Sequence, residues 1–220
     1  MIRKVLLKKK DFFIALYLHF RTNIIMTPER KEKLLKVISQ RQFNVTVVLE
    51  NVHDPHNISA VMRTCDAVGI QEIYVLNNKI ELPEKWGKRS SSSALKWLTI
   101  HTYDNVEECL IVLRKKYSKI LTTYLADNSI KLYDIDFTES IALVFGNEKD
   151  GVSEEIRSKA DGNFIIPQVG IIQSLNISVA CAVSIYEAFR QKNNANHYQN
   201  NFNNFKQQKE NLINKWEIRK

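Results

Sequence analysis

Residues 45–76 read VTVVLENVHDPHNISAVMRTCDAVGIQEIYVL, and the fold is decided in this stretch. Val45 to Leu49 is an almost unbroken run of β-branched and aliphatic residues, the pattern of a strand covered on both faces. Asp54-Pro55 then opens a helix, with an acceptor side chain at the cap and a proline where no backbone donor is needed. Ile58, Val61, Met62, Cys65 and Val68 recur at helical spacing, and Gly69 is the expected stop. Glu72 to Leu76 is a second strand. Strand, helix and strand within 32 residues predict a parallel pair joined by a crossover.

Downstream, the same alternation continues. Asn77–Ser93 is polar and irregular, and Trp97–Tyr103 reads as extended. Asn105–Tyr117 is helical, Lys119–Leu125 and Ser140–Phe145 are strands, and Ser153 caps a short helix. Phe164–Ile166 is a short strand, and Ser174 to about Lys192 a long helix with Ser174 at its cap. Upstream, Thr27 caps a basic amphipathic helix from Pro28 to about Gln40, carrying Leu34, Leu35 and Ile38 on one side. The expected fold class is therefore α/β, a mostly parallel sheet with helices on both faces. No internal repeat is present.

The chain divides into four segments on this reading. Residues 26–44 form the N-terminal helix, 45–192 the main domain, and 193–220 an Asn- and Gln-rich tail that ends with Leu212, Ile213 and Trp216 at helical spacing. Residues 1–25 are of different character. Arg3, Lys4 and Lys8–Lys10 precede an apolar run from Phe12 to Phe20, which His19 interrupts and no small-residue cleavage site follows. The run is too short to span a bilayer. The expectation is that the functional protein begins at Met26 and that 1–25 is an upstream extension or dispensable arm, without a membrane role.

Composition narrows the class of partner. Among 220 residues, 32 Lys and Arg stand against 24 Asp and Glu, a net charge of +8 that favours a polyanion such as nucleic acid. Cys65, Cys109 and Cys181 have no zinc-type spacing and are odd in number, which reads as reduced thiols of a cytoplasmic protein. There is no GxGxxG after a strand, no Walker loop and no GxSxG elbow, so P-loop phosphotransfer and serine hydrolysis find no support.

In sheets of this kind, ligands bind beyond the carboxyl ends of the strands. The candidate loops are Glu50–Asn57, Tyr124–Asn128, Gly146–Val152 and Pro167–Ser174. Arg63 stands between Ala60 and Ala67 on its helix, which leaves room for a phosphate; equally, it could be a solvated cation holding Asp66. His53 and His56 flank Asp54, yet they straddle a proline turn and lack a third ligand, so no metal is expected. Gly146-Asn-Glu148-Lys-Asp-Gly151 follows a buried strand and sets a carboxylate at its end, although any strand-to-helix turn can be glycine-rich. Asn176 offers both donors and an acceptor at a helix mouth.

Three of these blocks together resemble the SpoU (TrmH) family of RNA ribose 2′-O-methyltransferases in the SPOUT superfamily. Asn57 to Arg63 is similar to the family's Asn-x5-Arg motif, Gly146 to Gly151 to its Gly-x-Glu-x-x-Gly motif, and Ser174 to Ser178 to its Ser-Leu-Asn-[Val/Ile]-Ser motif. The likeness covers about Pro28–Lys192, and loosely the tail to Trp216. Asn147 and Asp150 depart from the usual second motif, and Ser90–Ser93 stands where relatives often have glycines.

The resemblance implies S-adenosylmethionine as cofactor, bound in a deep C-terminal trefoil knot, a rare topology. Thr123, Gly146, Ile166 and Leu175 would line the adenosine pocket. Asn57, Glu148, Ser174 and Asn176 would shape the active site, and Arg63 would be presented to it within a homodimer. A short basic helix before the first strand and a Trp-bearing tail are similar to the tRNA enzymes, which implies tRNA guanosine 18 in the D-loop. Ribosomal RNA, another tRNA position, a non-catalytic knotted RNA-binding protein and a membrane-surface protein anchored by 1–25 are the alternatives.

Overall fold

The computed structural model describes residues 26–80, 94–126, 128–172, 174–199, 203–216 and 218. The expectations for 1–25 and for most of Asn77–Ser93, including Ser90–Ser93, lie outside the described residues.

Seven strands form a single parallel sheet: β1 Val45–Glu50, β2 Glu72–Leu76, β3 Thr99–Tyr103, β4 Lys119–Thr123, β5 Ile130–Lys131, β6 Ile141–Phe145 and β7 Gly162–Ile165, in the spatial order β3-β2-β1-β6-β4-β7-β5. Among the described residues six α-helices accompany them: α1 Pro28–Ser39, α2 Pro55–Ala67, α3 Val106–Lys116, α4 Glu154–Arg157, α5 Ile177–Asn194 and α6 Lys206–Lys215. The strand sequence reverses direction across the sheet at β1, with β2 on one side and β6 on the other; Leu49 pairs with Val75 and with Phe145.

Alternate residues of each central strand serve opposite faces. Val47, Leu49, Ile73, Val75 and Leu143 join Ile58, Val61 and Met62 of α2 and Ile185 and Ala188 of α5 in one core. Val48, Tyr74, Leu76 and Val144 join Cys109, Leu110 and Leu113 of α3 and Ile156 of α4 in the other. Side-chain alternation on a pleated strand is what turns a continuous apolar run into two cores. Cys65 and Cys181 are buried and unpaired where α2 meets α5, and burial pushes the Cys181 thiol up. Cys109, also buried, is pushed up to about 12 by the same cause.

A third, smaller core joins the first and last of the described helices. Ile38 of α1 packs with Leu212 and Ile213 of α6 and with Trp216. Trp216 meets Trp97 edge to face at 4.9 Å, and the Arg41 guanidinium lies 5.6 Å from the Trp216 ring. Among the described residues, no helix is long and apolar enough to cross a membrane.

Four local expectations need correction, the first being β7, which spans Gly162–Ile165 instead of Phe164–Ile166. Helix α5 starts at Ile177, and its cap is Asn176, whose side chain accepts from the Ser178 N–H at 2.9 Å; Ser174 lies two residues upstream in the loop. Strand β3 begins at Thr99, because Ala94–Lys96 forms a turn of 3-10 helix. Strand β4 ends at Thr123, where the chain leaves the sheet. The two-residue strand β5 has no sequence signal, since two residues are too few for a periodicity.

Candidate active site

The carboxyl ends of β6, β4 and β7 lie side by side, and a cleft of about 820 Å³ opens beyond them. Thr123 closes β4, Gly146 follows β6, and Ile166 follows β7, so each is set on the cleft wall by its strand. Leu175, Ser174 and Asn176 reach it from the segment that enters α5. Phe145 and Phe164 stand edge to face on its floor, with ring centroids 6.1 Å apart.

The turn Gly146–Gly151 has a defined internal geometry. Gly151 adopts φ of 65°, and its N–H donates to the Asn147 carbonyl at 3.0 Å. The Asn147 side chain accepts from the Lys149 and Asp150 N–H groups at 2.9 and 2.7 Å. At Gly146 any Cβ would fall 2.0 Å from the carbonyl carbon and oxygen of Gly151, so only glycine permits the chain to fold back there. The tip of the turn carries Glu148.

Glu148 meets the first turn of α2. The Asn57 amide donates to Glu148 Oε1 at 2.5 Å, and Asn57 Oδ1 accepts from the Asn176 amide at 3.2 Å. Asn57 sits in the first turn of α2, where the Asp54 cap and Pro55 fix the helix start. One residue from each sequence block therefore meets at the mouth of the cleft. The chain is held there by side chains 91 and 119 residues apart.

Arg63 does not join this group. It is exposed and lines a separate depression of about 430 Å³ with Ala60, Thr64 and Ala67 of α2 and Ala182 and Tyr186 of α5. Asp66, a candidate partner for Arg63, is taken by Arg41. Among the described residues, no ion pair involves Arg63. His53 is exposed on the loop before α2, and His56 is exposed in its first turn.

Tyr124 and Leu125 also line the cleft, and the Arg157 guanidinium lies 3.7 Å from the Tyr124 ring centroid. No sequence signal linked Arg157 to the site, because it comes from a short helix 33 residues downstream of Tyr124. The strand-end rule could have found Phe145, which ends its expected strand, whereas Phe164 opens its expected strand and carries no such signal. In size the cleft falls within the roughly 300–1,000 Å³ of small-molecule sites. Its aromatic and aliphatic walls, with a few amide and carboxyl groups at the mouth, suit a nucleoside-sized ligand.

The profile of the SpoU rRNA Methylase family matches residues 44–186. The tRNA (guanosine(18)-2'-O)-methyltransferase of Thermus thermophilus is 39% identical over 172 residues, which is 78% of this chain and 88% of that protein. The crystal structure of the A. aeolicus TrmH/SpoU tRNA modifying enzyme is similar with a TM-score of 0.67 and 35% identity, covering 77% of this chain and 86% of that one. An AdoMet-bound rRNA methyltransferase from Sinorhizobium meliloti is similar with a TM-score of 0.61 and 28% identity, covering 71% of this chain and 59% of that one.

Proposed function

The chain belongs to the SpoU methylase family, and we propose that it transfers a methyl group from S-adenosylmethionine to the ribose 2′-hydroxyl of tRNA at guanosine 18. The observation that carries this reading is the meeting of Asn57, Glu148 and Asn176 at the mouth of the cleft. The Thermus relative named above acts at that nucleotide, and the net charge of +8 suits a polyanionic substrate.

The cleft residues fit the cofactor. The backbone at Thr123, Gly146, Ile166 and Leu175 would hold its adenosine part between apolar walls, in the knotted topology of the family. When bound, S-adenosylmethionine supplies an electrophilic methyl on a sulfonium. The protein's contribution is to hold the ribose 2′-oxygen in line with that methyl, which can account for a large part of the acceleration. Glu148, Asn57, Ser174 and Asn176 orient groups at the mouth.

Arg63 supplies positive charge for the oxygen as it becomes alkoxide-like. Arginine remains a cation in proteins and is no base, so the role of Arg63 is electrostatic, and a substrate phosphate or nearby group accepts the proton. Because Arg63 lies on the α2–α5 face and not in its own cleft, a second copy delivers it. Val179 and Tyr186 are exposed on α5, which supports a homodimer built through this side. Three buried free thiols fit the cytoplasm.

The test is transfer of labelled methyl from S-adenosylmethionine to unmodified tRNA, mapped at nucleotide resolution. The expected product is 2′-O-methylguanosine 18, lost in Arg63→Ala. Product on ribosomal RNA alone would overturn the tRNA assignment, and no product on either RNA would overturn the reaction.

A further inference from the structure

Glu50 ends β1 and is 1% exposed. Its Oε2 accepts from the Ser153 N–H at 2.8 Å, while its Oε1 is sealed from solvent without a partner. A buried carboxyl with half its capacity unused is an unfavourable way to fill space, and an apolar residue would fill it better. What it gains is a fixed acceptor for one particular backbone donor.

That donor is well placed to matter. Ser153 caps α4 and lies two residues after Gly151, where the Gly146–Gly151 turn closes. The turn carries Glu148, and Glu148 accepts from Asn57. Asn57 stands at the start of α2, which begins five residues after Glu50 on the same chain. Glu50 therefore closes a ring: from β1, through Ser153 and the turn, to Glu148, across to Asn57, and back through α2. On its other side the exit of β1 is held by Asn51, in a left-handed conformation with φ of 50°. The Asn51 side chain donates to Asn78 Oδ1 at 2.8 Å and accepts from the Lys79 N–H at 3.0 Å.

We propose that Glu50 is a positioning residue for methyl transfer: through the Ser153 N–H it holds the Gly146–Gly151 turn so that Glu148 meets Asn57. The inference rests on the functional reading above. It predicts that losing the acceptor loosens the turn and lowers turnover without weakening the cofactor's hold on the cleft walls.

Two readouts on the full-length protein test it. The first needs no activity: amide hydrogen exchange of residues 147–153 in Glu50→Leu and Glu50→Gln. Exchange at least tenfold faster in the leucine variant, with β2 and β3 unchanged and the glutamine variant close to wild type, is the expected result. Unchanged exchange in 147–153, or acceleration spread evenly over the sheet, overturns the proposal.

The second is a double-mutant cycle in single-turnover methyl transfer. Glu50→Leu is expected to slow transfer at least tenfold in the wild-type background and less than twofold in a Glu148→Gln background, with the dissociation constant for S-adenosylmethionine within twofold of wild type in both. Glu50→Gln, which keeps an acceptor for Ser153, is expected to retain most of the rate. An equal penalty in both backgrounds means a merely structural role and overturns the proposal. A wild-type protein without transfer overturns the functional reading instead, and the exchange measurement still decides the placement of the turn.

Discussion

Single residues here are constrained by what stands within one bond of them. Gly146 is the sharpest case, since its missing Cβ is the space that Gly151 occupies. Gly146→Ala sets backbone against backbone, and overpacking of this kind costs about 1–3 kcal/mol. The expected outcome is a correspondingly lower urea midpoint with methyl transfer reduced at least tenfold, measured on the same preparation. Glu72, at the opposite end of the sheet, is constrained by charge. Burial would raise its carboxyl, but His101 and Lys116 outweigh that and hold it at about 2, below its usual 4.5. Lys116 Nζ reaches both of its oxygens, at 2.8 and 2.9 Å. Because the folded value is depressed, the stabilisation is complete above pH 4.5 and disappears as pH falls towards about 2. Glu72→Gln should therefore show a lower urea midpoint than wild type at neutral pH, with the gap closing below pH 4.5. A gap that stays constant down to pH 2.5 would remove the ion pair as its cause.

The elements were largely legible in the sequence, and the reasons can be given one by one. Strand β2 spans the expected residues because its apolar run is bounded by polar residues on both sides. Helix α1 has Thr27 as its cap, accepting from the Arg30 N–H, as the Thr-Pro-Glu opening predicts. The cap of helix α5 lies two residues beyond the expected one because two cap-forming residues, Ser174 and Asn176, compete within one turn, and only the chain's path past the cleft chooses between them. Asn176 then has two duties, capping α5 with Oδ1 and donating to Asn57 with Nδ2. Serine caps about as well as asparagine but has no second donor in that direction. Asn176→Ser should melt within about 2 °C of wild type. Its methyl transfer should nevertheless fall at least tenfold, and equal losses of melting temperature and rate would reduce Asn176 to a cap.

At the scale of the molecule, the partition of the site is the main result. Asn57 is hydrogen-bonded to Glu148 and Asn176, which line the cleft, while Arg63, six residues from Asn57 along α2, faces a shallow depression beside Tyr186. A homodimer through α2 and α5 would bring the two together. If the proposed homodimer forms, Ala182→Glu, which adds a charge to the lining of that depression, should leave a monomer by sedimentation at micromolar concentration. Methyl transfer should be lost with it, while the unfolding transition stays cooperative. A wild-type monomer that is fully active would contradict the shared site. The sequence by itself determined the repeating strand–helix order, the parallel sheet and the three blocks of chemistry, because periodicity, caps and turn residues act over distances of a few residues. Only the tertiary structure decided that Arg41 takes Asp66, that β6 lies between β1 and β4, and that loops 91 and 119 residues apart meet at Asn57. Those choices belong to packing: strand order follows from which apolar faces fit together, and no local propensity carries that information.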